Sequence, residues 1–214
     1  MTKIQHIEAR VHGRVLYEAR SPERLLLGFH GYAETAEVLF AELEQIPGID
    51  AWSVASVQAL HPFYQRGVRV VANWMTSQDR ELAIEDNIDY VRRVLAALPK
   101  PKHLVFAGFS QGVAMAVRAA AYAGAEPSAM ILLGGDIPPE VVQDANVTLP
   151  PTLLGRGATD DWYTAEKFDV DVQYLQTKTT VRTSLFAGGH EWTDQFRTAA
   201  AALLREVEQA PVQR

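Results

Sequence analysis

The chain has 214 residues, a length that suits one domain with a sizeable hydrophobic core. Its net charge of -6 argues against nucleic acid and anionic membranes as partners, because both attract basic patches. It contains no cysteine, which excludes disulfides, thiolate catalysis and cysteine-based zinc sites.

The first segment predicts an N-terminal antiparallel hairpin. Residues 7–11 and 15–17 would form its two strands, and His12 with Gly13 would form the turn. No apolar run of a secretory signal precedes it, and no later run has the length of a membrane-spanning helix. We therefore expect a cytoplasmic protein without stable membrane insertion.

From residue 25 onward, short apolar runs alternate with helical patterns. Continuous apolar runs are typical of strands buried on both faces. The helical patterns include residues 84–98, the alanine-rich residues 111–122 and residues 196–207. This alternation predicts a single α/β domain over residues 1–214, with a mostly parallel central sheet and helices on both faces. The predicted strands are residues 25–29, 52–57, 104–109, 129–133, 152–154 and 181–186.

A G-x-S-x-G motif centred on Ser110 lies between a predicted strand and a predicted helix. In that context the serine occupies a sharp turn that presents its hydroxyl above the sheet, and glycines at 108 and 112 avoid a collision across the turn. Ser110 is therefore a candidate nucleophile. The alternative is that Ser110 merely caps the helix and the glycines serve a tight loop.

A serine nucleophile needs a general base, and His190 follows the last predicted strand, where the order serine, acid, histidine would place the base. The alternative for His190 is a surface cap of the final helix. His30 ends the first predicted buried strand. We interpret it as structural, because no partner stands at metal-ligand spacing.

The acid that orients the histidine has three candidates, which are Asp160, Asp161 and Asp136. All three follow predicted strands, so their spacing does not decide among them. The tight turn that begins at Gly157 favours Asp160, with Asp161 then directed to solvent or capping a helix.

Acyl transfer also needs donors for the developing oxyanion. The backbone N–H groups of Gln111 and Tyr32 are the candidates, since one follows the nucleophile and the other follows Gly31 in the loop after the first buried strand. The long aromatic connection at residues 60–75 would form a wall or partial lid. The predicted lining is Phe63, Trp74 and Trp192, and the alternative is that these aromatics pack the loop onto the domain.

Together these segments resemble the phospholipase/carboxylesterase family of α/β hydrolases, which includes acyl-protein thioesterase-like and small carboxylesterase members. The resemblance implies a nucleophile at Ser110, an acid at Asp160, a base at His190 and oxyanion donors at Tyr32 and Gln111. Ala33 and the segment 161–163 depart from the family pattern. The matching pieces are residues 29–32 with Glu34, 61–63, 73–74, 108–112, 133–136, 157–160 and 188–190.

The expected function is hydrolysis of a small-molecule carboxylic ester or thioester, with no cofactor and no metal. Lysophospholipase or acyl-protein thioesterase activity is an alternative within the family. An amidase or carbon–carbon bond hydrolase, and a non-catalytic small-molecule binding module on the same fold, are further alternatives. The sequence leaves the oligomeric state open, and the exposed edge elements of a small hydrolase would allow a homodimer.

Overall fold

The structure is a computed structural model that describes residues 2–210. A seven-stranded sheet has the order β1-β3-β2-β6-β7-β8-β9, and β4 and β5 form a separate two-stranded sheet. The strands are β1 Arg14–Glu18, β2 Arg24–Phe29, β3 Ser53–Gln58, β4 His61–Gln65, β5 Arg69–Asn73, β6 His103–Phe109, β7 Ala129–Leu133, β8 Thr152–Gly157 and β9 Val181–Phe186. The helices are α1 Ala36–Leu43, α2 Arg80–Ala97, α3 Gln111–Tyr122, α4 Pro139–Gln143, α5 Ala165–Gln176 and α6 Asp194–Gln209, with a 3-10 turn at Ile49–Ala51.

The strands of the large sheet are parallel except for β1, which pairs antiparallel with β3. The central strands β2, β6 and β7 are buried at every residue except the first of β2 and of β6, because helices cover both faces of the sheet. One core cluster joins the sheet to α2, α3 and α5. The other joins it to α1 and α6. The mostly parallel, two-sided α/β fold is thereby confirmed.

One of the two strands of the predicted N-terminal hairpin does not form. Its second arm is β1, but residues 7–11 form no strand, and Ile7 and Val11 are exposed. The chain at Gly13 lies against the ring of Tyr90 in α2, whose hydroxyl donates to the carbonyl of Arg14. The preceding residues run beside the start of α2, with His6 Nε2 3.8 Å from Asp79 Oδ1, and they form no strand along the free edge of β1.

Residues 60–75, which the sequence predicts as a long connection, contain an antiparallel hairpin. β4 and β5 pair with each other, and the turn between them contains Arg66 and Gly67, both with left-handed backbone (φ 50° and 79°). β5 also pairs with the chain that follows β2. The amide of Ala33 donates to the carbonyl of Ala72, and the amide of Ala72 donates to the carbonyl of Glu34. The hairpin therefore supports the loop that follows β2.

Candidate active site

Ser110 occupies the turn between β6 and α3 with φ 53° and ψ -121°, a conformation that side-chain-bearing residues rarely adopt. The flanking glycines make this turn possible. A β-carbon at Gly108 would lie 2.5 Å from the carbonyl oxygen of Gly112, and one at Gly112 would lie 1.8 Å from the carbonyl oxygen of Phe29. Backbone packs directly on backbone at both positions. The strained serine is held at the carboxyl end of the central strand.

His190 and Asp160 meet at the same end of the sheet, in the loops after β9 and β8. The His190 Nδ1 lies 2.8 Å from Asp160 Oδ2. The other carboxylate oxygen, Oδ1, accepts the backbone N–H groups of Trp162 and Tyr163, each at 2.9 Å. The carboxylate is therefore fully engaged, with one oxygen on the imidazole and the other on its own loop.

The two alternative acids lie elsewhere. Asp136 is exposed and pairs with Lys167 at 3.2 Å. Asp161 is exposed as well. The structure thus brings Asp160, and neither of these two, into contact with the imidazole of His190.

Ser110 and His190 line one cavity of about 790 Å³. Two glycines after β7 lie against these residues, Gly134 against His190 and Gly135 against Ser110. A β-carbon at Gly134 would lie 3.1 Å from Cε1 of His190, and one at Gly135 would lie 2.2 Å from the backbone oxygen of Ser110. Glycine at both positions lets the hydroxyl and the imidazole approach the same space from neighbouring loops.

The loop after β2 closes the other side of Ser110. A β-carbon at Gly31 would lie 3.2 Å from Cβ of Ser110 and 3.0 Å from Oε2 of Glu34. That same oxygen accepts the N–H of Gly31 at 2.7 Å, and burial raises the pKa of the Glu34 carboxyl. Within residues 2–210, the backbone N–H groups of Tyr32 and Gln111 donate no hydrogen bond. Both amides therefore remain available to an oxygen at Ser110.

His30 is a support for this loop. It is fully buried, its Nε2 accepts the N–H of Ala59 at 3.0 Å, and its Nδ1 lies 2.7 Å from the carbonyl oxygen of Gly31. This pattern requires the neutral tautomer with hydrogen on Nδ1. Burial also lowers the pKa of His30, which keeps the ring neutral. Across residues 2–210 no group of three metal-ligating side chains is positioned to hold an ion.

The three aromatics predicted to line the pocket have the following surroundings. Trp74 is fully buried, and its indole N–H donates to the carbonyl of His30 at 2.8 Å. Trp192 packs between Phe109 and Phe196. Phe63 stacks on Tyr32, with ring centroids 5.7 Å apart. The contacts of Trp74 and Trp192 fit the alternative that the aromatics pack the loops, whereas Phe63 lies against the candidate oxyanion residue Tyr32. None of the three belongs to the lining of the 790 Å³ cavity.

Side chains outside the set of predicted site residues line most of that cavity. They come from α2, α3, the loops after β5, β7 and β8, and α5, elements that are far apart along the chain. One sequence carries no signal that these residues share a space, because their proximity depends on the fold. The main ones are Met75, Arg80, Arg118, Ile137, Trp162 and Val170.

No protein-family profile matches the chain, and no curated protein matches its sequence. Solved structures do match its fold. It is similar to esterase PE8, with 22% identity over 91% of this chain and 98% of that chain and a TM-score of 0.75. It is similar to a carboxylesterase of Bacillus cereus, with 13% identity, 91% and 94% coverage and a TM-score of 0.70.

A third similar structure is acyl-protein thioesterase 2 of Zea mays, with 18% identity over 92% of this chain and 99% of that chain and a TM-score of 0.69. At these identities the likeness establishes the α/β-hydrolase fold. No helix within residues 2–210 is both long and apolar enough to cross a membrane.

Proposed function

We propose that this protein is a serine hydrolase of the phospholipase/carboxylesterase family that cleaves carboxylic esters or thioesters. One observation carries the proposal: His190, which is hydrogen-bonded to Asp160 at 2.8 Å, lines the same cavity as Ser110, whose backbone has the rare positive φ of 53°. The arrangement has the parts of a nucleophile, a base and an orienting acid. The esterase and thioesterase names of the structural neighbours support the same class.

In the proposed first half-reaction, Ser110 Oγ attacks the acyl carbon and His190 Nε2 takes its proton. The Nδ1–H of His190 donates to Asp160, which keeps Nε2 free to accept a proton and stabilises the imidazolium. The imidazolium then protonates the leaving alcohol or thiol as the carbon–oxygen or carbon–sulfur bond breaks. The product of this half is an acyl-enzyme on Ser110.

In the second half-reaction, a water molecule gives its proton to His190 and attacks the acyl-enzyme. The same proton returns to Ser110 Oγ as the acid leaves. In both halves the oxyanion would accept the N–H groups of Gln111 and Tyr32, and the N-terminus of α3 adds a favourable dipole. Glu34 fixes the loop that carries Tyr32 through its bond to the Gly31 amide.

The proposal is tested with a fluorophosphonate probe and p-nitrophenyl acyl esters. We expect the wild-type protein to label at one serine and to hydrolyse the esters, and Ser110→Ala to lose both properties while keeping its circular dichroism spectrum. Ser56→Ala, at a buried serine of β3, is the matched control. Undiminished hydrolysis by purified Ser110→Ala protein would overturn the assignment.

The same assay separates the competing classes. Matched ester, thioester and anilide substrates with one acyl group distinguish an esterase or thioesterase from an amidase. A non-catalytic binding module would bind these compounds without labelling at Ser110. Faster turnover of the anilide than of the ester would favour the amidase.

A further inference from the structure

The cavity at Ser110 follows one face of α3. Gln111, Ala114 and Arg118 all line it, and their spacing of three and four residues places them on one side of the helix. Arg118 is eight residues beyond Ser110, which corresponds to about 12 Å along the helix axis. Helix side chains lean toward the N-terminus, so the guanidinium lies nearer to the nucleophile than its own Cα does.

Arg118 is a buried cation, with a side chain only 2% exposed. Its Nε donates to Glu140 Oε1 at 2.5 Å, and its Nη1 lies 4.0 Å from the sulfur of Met115. Within residues 2–210 its Nη2 forms no further hydrogen bond. A guanidinium that lines a cavity with part of its donor capacity unused is suited to bind an anion.

Two arginines share one carboxylate at this end of the cavity. Glu140 is shared, since its Oε2 also accepts Arg80 Nη2 at 3.3 Å, and Arg80 lines the same cavity. The Arg118 guanidinium is buried, whereas the Arg80 side chain is 40% exposed to water. A substrate carboxylate at this end would accept from the guanidinium donors of Arg118 that Glu140 leaves unused.

Three acids also line the cavity. Asp136 is paired with Lys167, and Asp171 accepts the hydroxyl of Tyr163 and the N–H of Ile137. The third acid, Glu166, is exposed to solvent. Asp136 and Glu166 are exposed to water, which screens their charge. Asp171 is buried and hydrogen-bonded only to neutral donors, so it is the acid that would oppose an anionic ligand, and Arg118 with its unused donors is the group that would favour one. The competing possibility is a ligand with a terminal cation.

We infer that the cavity selects acyl groups that carry a carboxylate at their far end, and that Arg118 binds this second carboxylate. The inference rests on the proposed ester hydrolysis and names its substrate class, the half-esters or half-thioesters of dicarboxylic acids. Met75, Ala114 and Ile137 would contact the methylene chain between the two carboxyl carbons. Arg118 is thus a specificity-determining residue at the end of the acyl site.

The test compares p-nitrophenyl esters of one chain length that differ at the far end. The terminal group is a carboxylate in the adipate half-ester, a neutral carboxamide in the second ester and an ammonium in the third. A charge-assisted hydrogen bond to a buried guanidinium predicts a kcat/KM for the carboxylate about 10- to 100-fold above that for the carboxamide. The same three terminal groups on the longer suberate chain then show whether the carboxylate preference persists when the acyl chain is two methylenes longer.

Two Arg118 variants test whether this residue causes the preference for a terminal carboxylate. Arg118→Met should bring the carboxylate-to-carboxamide ratio of kcat/KM close to one, and Arg118→Lys should retain part of it. The ratio is measured on one protein sample, so it is insensitive to a loss of folded enzyme. Arg93→Met, at an exposed arginine of α2 whose side chain is 72% exposed, is the control that should keep the wild-type ratio.

Equal rates for the three esters, or a preference for the ammonium ester, would overturn this inference while leaving ester hydrolysis in place. An unchanged ratio in Arg118→Met would overturn it as well. If none of the esters is hydrolysed, the proposed function fails and the substrate class fails with it.

Discussion

The carboxylate of Asp160 holds His190 with one oxygen and its own loop with the other. Oδ2 lies 2.8 Å from the imidazole, while Oδ1 accepts two backbone amides. The side chain is 1% exposed, so water does not compete for either oxygen. The loop and the imidazole are therefore oriented by the same group, and a small chemical change at this position should separate the two roles.

Replacing Asp160 with asparagine should preserve the fold and remove most of the activity. The amide oxygen can still accept the two loop amides, but the amide nitrogen no longer accepts from Nδ1 and favours the wrong tautomer of His190. We expect kcat for an activated ester to fall by about 10⁴-fold. The control is Asp161→Asn, at the exposed neighbouring aspartate, which should keep wild-type kcat. Equal losses in both variants would contradict the assignment.

Gly112→Ala should destabilise the protein, because the new methyl would lie 1.8 Å from the carbonyl oxygen of Phe29, a backbone atom in β2. Neither α3 nor β2 can shift without disturbing the sheet, so we expect a loss of about 3 kcal/mol in the free energy of unfolding. Urea denaturation measures it. Gly189→Ala is the matched control, since its methyl would meet nothing closer than 3.9 Å. Similar unfolding midpoints for the two variants would be inconsistent with this packing.

Trp74→Phe distinguishes a packing role from a pocket role. The substitution removes the indole N–H that donates to the carbonyl of His30 and leaves that buried acceptor without its partner. We expect the free energy of unfolding to fall by about 1–3 kcal/mol. Because Trp74 does not line the cavity, the relative rates for esters of graded acyl length should stay as in the wild type. A changed chain-length preference would mean that Trp74 contacts substrate.

Much of the fold could be predicted from the sequence because the central elements are governed by local patterns. The runs at Ala129–Leu133 and Val181–Phe186 and the alanine-rich helix Gln111–Tyr122 match their predicted bounds. Apolar strands buried on both faces and a small-residue helix packed on a sheet have few other solutions. Helix α5 carries a comparable apolar stripe at Phe168, Val172 and Leu175.

The predictions for the N-terminal arm and for the β4–β5 hairpin were wrong for different reasons. The arm was expected to be a strand and forms none, whereas the hairpin was expected to be a loop. Residues 7–11 alternate as a strand would, but the chain at this end runs beside α2, an element far along the sequence. The hairpin turn contains Arg66 in a left-handed conformation, a residue that does not mark such turns. The cavity lining depends on contacts between remote elements, so its charge at Arg118 could be read only from the structure.

Asp171 should make stability depend on pH below neutrality. Burial raises the pKa of its carboxyl to about 6 in the folded protein, against about 3.9 for an unfolded aspartate. Between these values the folded state binds more protons than the unfolded state, so stability falls as pH rises through the window and the full loss is present above about pH 6. The difference of about two pKa units corresponds to about 3 kcal/mol in the free energy of unfolding.

Asp171→Asn should remove this dependence. The amide oxygen can still accept the Tyr163 hydroxyl and the Ile137 amide, and no charge is buried at any pH. Urea midpoints measured from pH 4.5 to pH 7.5 should therefore show the variant gaining on the wild type as pH rises, with the difference levelling off above about pH 6. Every other titrating group is common to both proteins and cancels in that difference. Two parallel curves would mean that Asp171 ionises equally easily in the folded and unfolded chains, which its burial between α5 and the loop after β7 argues against.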